Sequence, residues 1–215
     1  MPRTDGRDWR DTLRDAGDLA VLGFAVFFAC LLVVPGGGAI AAASAAIHDW
    51  VEHRRDYGDG RFPSWATTWR RFRRAVLPGL GAGLAAAVLC LLILIDIAAV
   101  RDGLVPGGSV LLVATTLVGI GLAGFCGLTV VEVGRADATG WRAAAARAGR
   151  TSLDRPVAPL AMGAVTALAV LLSVMLPMCA PILAGYVIFA LHAVAGRLAP
   201  AAAQTPTPRS RSAVR

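Results

Sequence analysis

Four stretches of this chain contain no Asp, Glu, Lys or Arg: Leu19–His48, Ala75–Ile95, Gly103–Val131 and Pro156–Gly196, of 30, 21, 29 and 41 residues. A helix that crosses a bilayer needs about 20 apolar residues. In hydrocarbon every backbone polar group must be satisfied inside its own segment, which leaves helices as the solution for runs of this kind. Pro177 and Pro181 divide the longest run near its middle, so it holds two spans. The charged residues, 16% of the chain, are concentrated between the runs, and mean hydropathy is +0.64. The pattern predicts an all-α, polytopic membrane helix bundle of six transmembrane helices arranged as hairpins. The count is five if residues 36–51 are re-entrant or interfacial.

The charges between the runs set the expected topology. All 21 basic residues are Arg. Residues 53–74 hold seven of them and residues 134–155 hold five, whereas Val100–Gly108 holds only Arg101 and the break around Pro177 holds none. The positive-inside rule places the loops 53–74 and 134–155 in the cytoplasm. The net charge of +7 is explained by this arrangement, and nucleic acid is not an expected partner. Asp and Arg alternate before Leu19, unlike the positive leader of a cleaved signal peptide, so the first run is read as retained. Residues 1–17 form a polar N-terminal segment, 18–198 the transmembrane domain and 199–215 a disordered C-terminal tail rich in Pro, Ser, Thr and Arg.

Two runs break at the same signal, VPGGG at 34–38 and VPGG at 105–108. Proline lacks a helical donor and glycine weakens a helix, so both are expected as turns at the outer surface. Each is followed by a Val-Glu pair (Val51-Glu52, Val131-Glu132), then a Trp-Arg pair (Trp69-Arg70, Trp141-Arg142). A proline then opens the next run (Pro78, Pro159). This reads as a weak internal repeat of hairpins and basic loops.

The most distinctive segment is SWATTWRRFRR, Ser64–Arg74. Trp65, Trp69 and Phe72 fall on one helical face, and Arg70, Arg71, Arg73 and Arg74 occupy much of the remainder. Ser64 is the expected N-cap. Such a helix suits the inner membrane surface, against anionic headgroups, or the cytoplasmic surface of a partner. Gly79 and Gly83, the series Gly119, Ala123, Gly127, and Ala41 and Ala45 around Ser44 are small faces for close helix packing. GIGLAG at 119–124 matches a dinucleotide fingerprint formally, but it lies within a span and reads as packing. Asp96 is a candidate intramembrane charge, a default functional hypothesis in an apolar helix. Glu132 and Arg135 form an expected i,i+3 pair. His48 and His192 each read as isolated structural residues. The four cysteines form no CxxC and read as small apolar side chains. No catalytic, metal-binding or cofactor-binding motif is present, so no enzyme activity or cofactor is expected.

The residues from 18 to 85 carry a family resemblance. An early span ends at Pro35, a small-residue helix AIAAASAAI leads to Trp50-Val51, and a short basic loop precedes FPSWATTWRRFRR and a new span at LPGLG. This order resembles the YesL-like family of bacterial integral membrane proteins, and beyond residue 85 the likeness is architectural only. Gly36–Gly38 depart from the family's small-polar stretch, which resembles PATAA. The resemblance implies a multi-pass protein of the bacterial cytoplasmic membrane, associated with carbohydrate uptake and with sugar ABC transporter subunits as candidate partners. It supplies no catalytic residues. The expected function is a non-enzymatic accessory or regulatory component that works through its aromatic–Arg segment, alone or as a homo-oligomer. The alternative is a small secondary transporter or channel, for which the polar side chains within the spans (Ser44, Ser109, Thr115, Thr116, Thr129 and Ser173) are few.

Overall fold

A computed structural model describes residues 9–32, 34–57, 62–104 and 108–198. The expected disordered tail, the VPGG break at 105–107 and part of the first basic loop lie outside the described residues. The described residues form seven α-helices: α1 (Trp9–Leu31), α2 (Gly36–Tyr57), α3 (Trp65–Arg101), α4 (Gly108–Arg135), α5 (Trp141–Asp154), α6 (Val157–Met175) and α7 (Ala180–Leu198), with a 3-10 turn at Pro177–Cys179. The expected LPMCAP turn is that 3-10 break.

Among the described residues, four helical stretches are long and apolar enough to cross a membrane: Trp65–Arg101, Gly108–Arg135, Val157–Met175 and Pro177–Leu198. The expectation of six spans is therefore met for α3, α4, α6 and α7. The apolar part of α1 within the helix is short, and α2 carries His48, Asp49, Glu52 and His53 after its alanines. Yet α2 is the hub of the bundle. Ala41–Ile47 are all buried, Ala42, Ala45 and Ala46 almost completely, and α1, α3, α4 and α7 surround the helix. A helix enclosed by protein needs small side chains for close approach more than it needs apolar bulk. Residues 36–51 thus form a helix enclosed within the bundle.

Glycines set the crossings. The four most extensive helix pairs, α2–α3, α4–α6, α1–α7 and α2–α4, each meet at one. A Cβ on Gly79 would lie 2.6 Å from the Gly38 nitrogen and 2.7 Å from the Gly37 carbonyl carbon. One on Gly124 would lie 2.9 Å from the Gly163 nitrogen, and one on Gly23 2.7 Å from the Gly185 nitrogen. One on Gly134 would lie 2.9 Å from the Ser44 carbonyl. The GGG of the first break is therefore the first turn of α2, pressed against α3, and GIGLAG supplies a packing glycine as expected.

This corrects the placement of the two breaks. Gly37 and Gly38 cross α3 at Gly79, and the rest of that helix, 80–101, runs on for about 33 Å at the helical rise. The second break follows the far end of α3, so the two are not level with each other along it. Pro78, which opens the apolar run, lies inside α3, whose helix already begins at Trp65. The internal repeat does not extend to the basic segments. Trp69-Arg70 belong to the first turns of α3, whereas Trp141-Arg142 open a separate helix, α5, which buries Ala144 and Ala148.

Candidate functional site

Ser64 caps α3 as expected, its side chain accepting the Thr67 amide at 3.4 Å. The aromatic face that follows does not stand free. Trp65, Trp69 and Phe72 form one wall of an apolar groove of about 290 Å³. Leu22 and Val26 of α1 and Leu32 just past its end form the opposite wall, and Ala39 and Ala42 of α2 the floor. Trp69 and Phe72 stack at 5.2 Å between centroids. Trp65 and Trp69 stay half exposed at the rim. A smaller cavity of about 150 Å³ shares Leu22, Trp65 and Thr68 with the groove and adds Asp18, Phe62 and Pro63. The two form one trough, apolar along its length and polar at the end where α1 and α3 begin.

The four arginines of the segment divide. Arg70, Arg73 and Arg74 are exposed, as an outward basic face requires. Arg71 turns inward, with only 12% of its side chain exposed. It donates to Asp49 of α2 at 2.7 Å and to Asp137 of the α4–α5 turn at 2.6 Å. Its guanidinium joins three elements, so it belongs to the scaffold rather than to a surface for headgroups or partners. Asp137 itself has φ of 52° in this turn, a left-handed conformation that Asp tolerates better than most side chains. Nearby, Arg54 pairs with Asp15 and lies 4.2 Å over Trp50, which packs against Phe62 and Phe189. Glu132 pairs with Arg135 at 2.6 Å, as expected, and also with Arg147 at 2.8 Å, which fastens α5 to α4.

Asp96 lies on the C-terminal half of α3, where it accepts from the Thr115 hydroxyl of α4 at 3.1 Å. It is exposed, and no cation pairs with it among the described residues. No residue of 80–99 or 108–123 is buried, so this end of the hairpin has no covering helix.

Sequence reasoning missed one polar cluster. Ser44 and His192, both buried, face each other across α2 and α7 with Oγ and Nε2 3.4 Å apart. The Ser44 hydroxyl donates to the Val130 carbonyl at 2.7 Å. His192 Nδ1 lies 3.0 Å from the Ile188 carbonyl, which can only accept, so Nδ1 carries a proton. The His48 ring is 6.1 Å from that of His192, and its Nε2 is 3.5 Å from Glu52. The two histidines lie 144 positions apart, and periodicity on either helix could not pair them. The signal available was Ser44 itself, a hydroxyl within an unbroken alanine face.

No family model, curated protein or solved structure matches this chain.

Proposed function

We propose that this protein is a non-enzymatic accessory component of the bacterial cytoplasmic membrane, with both Arg-rich segments in the cytoplasm and α1 and α2 forming a shorter hairpin packed against the spanning helices. The reading rests on the outer α3/α4 hairpin. Its Leu91, Leu92, Leu94, Ile95, Val113, Leu117 and Val118 are exposed, as lipid requires, but Asp96 stands among them. A carboxylate on a lipid-facing helix is costly, and a short side chain cannot carry it far toward water. A partner helix that offers donors to Asp96 and Thr115 relieves that cost. The YesL-like resemblance supports carbohydrate uptake as the setting, which makes a sugar ABC permease or its ATPase the first partner class to test.

The test is crosslinking in native membranes with tagged full-length protein, followed by mass spectrometry. Recovery of a permease or ATPase subunit, lost in Asp96→Leu and kept in Asp96→Asn, supports the reading. Recovery of this chain alone overturns it in favour of a homo-oligomer.

A second reading, a small secondary transporter, is favoured by the buried Ser44–His192 pair beside the half-buried His48, since transporters gather polar groups between apolar helices. Purified protein in liposomes would then move solute or protons by itself and lose that activity in His192→Gln. Tight liposomes with no flux count against it.

A further inference from the structure

Five acids at the end of the bundle where α1 and α3 begin have basic partners. Asp15 pairs with Arg54, Asp49 and Asp137 with Arg71, Glu132 with Arg135 and Arg147, and Glu52 with His48. Asp18 at the same end has none among the described residues, and it lines the polar end of the trough. Beyond it the walls are apolar, with Trp65 at the junction. Leu22 on α1 and Leu32, the residue after its end, bound the groove and are separated by about 15 Å at the helical rise. That is half of the ~30 Å hydrocarbon core, the depth of one leaflet. The groove is flanked by side chains of α1 that already face outward, Phe24, Phe28 and Leu31.

We propose that the trough between α1, α2 and α3 binds one phospholipid with a primary-amine headgroup. One acyl chain lies along Leu22–Leu32 against Trp69 and Phe72, and the headgroup ammonium donates to the Asp18 carboxylate. An apolar channel of leaflet depth that ends in a carboxylate with no basic partner among the described residues complements an amphiphile with a cationic head. It does not complement a phosphatidylglycerol, whose head carries no positive charge. Tryptophan at the junction of chain and head matches the preference of that side chain for the membrane interface.

The experiment uses full-length protein in bilayers of equal phosphatidylethanolamine and phosphatidylglycerol, with bromine on the chains of one lipid or the other. Tryptophan quenching that is absent from Trp65→Phe/Trp69→Phe reports the groove. The expected result is a preference for brominated phosphatidylethanolamine of about twofold to fivefold, the range of an exposed ion pair. Asp18→Asn abolishes that preference but leaves chain quenching in place. Ala25→Phe/Ala29→Phe fills the groove from α1 and removes the groove-specific quenching by both lipids. Ala25 is exposed and Ala29 half-buried, so neither change enters the core. The proposal is overturned if wild type shows no preference or if Asp18→Asn retains one. It is equally overturned if filling the groove changes nothing, or if a photocrosslinker at position 25 captures polypeptide instead of lipid.

Discussion

The α2–α3 crossing is tested most directly by giving Gly79 a methyl group. In Gly79→Ala the new Cβ would sit 2.6 Å from the Gly38 nitrogen, 2.7 Å from the Gly37 carbonyl carbon and 3.1 Å from the Gly38 Cα. Comfortable carbon contacts lie near ~3.5–4.0 Å. All three neighbours are backbone, so no rotamer change relieves the clash and the helices must separate by about 1 Å. Overpacking of this kind costs about 1–3 kcal/mol. Alanine recovers up to about 1 kcal/mol of helix propensity over glycine. The expected net loss is about 1–2 kcal/mol. Gly81→Ala, two residues along the same helix, is the matched control. Nothing lies within 4 Å of its Cβ position, so it keeps only the propensity gain and is neutral or stabilising. Reversible unfolding of the full chain in mixed micelles, followed by circular dichroism, compares the two. A Gly79→Ala protein as stable as wild type, or a Gly81→Ala protein equally damaged, refutes the assignment of this crossing to glycine contact.

Two further outcomes follow from the ion pairs. Arg71→Gln leaves Asp49 and Asp137 without their shared guanidinium. It should cost about 1–2 kcal/mol, between exposed and fully buried pairs because both carboxylates are partly solvated. Arg71→Lys should not restore it, since one ammonium cannot serve two carboxylates in the fork geometry; unfolding curves of both variants check this. Glu132→Gln should release α5 from α4, seen as faster amide exchange over Trp141–Asp154 while α6 and α7 are unchanged.

Much of this architecture was legible before any coordinates. The uncharged runs became α3, α4, α6 and α7, the Pro177 break became a 3-10 turn, Ser64 became a cap, and Glu132 found Arg135. Each is a local event. A backbone in an apolar environment must bond within its own segment, so composition and punctuation alone set where helices form and stop. The aromatic spacing of Trp65, Trp69 and Phe72 likewise named a true helical face. What that face met was not legible. It meets α1 and α2, roughly 25 to 50 residues upstream, and a period of 3.6 residues identifies a face without identifying its partner.

The sequence by itself therefore determined that this protein is helical, membrane-compatible and basic between its spans. The tertiary structure alone decided the rest. It made the least apolar of the long helices the hub, because an enclosed helix is selected for smallness rather than for transfer into lipid. It turned Arg71 inward from three neighbours that stay exposed, because two acids from other elements converge there. It brought His48, His192 and Ser44 together, set Asp18 at the polar end of the trough, and chose which glycines meet. Close helix crossings depend on complementary surfaces supplied by distant segments, and no single segment encodes both halves of a contact.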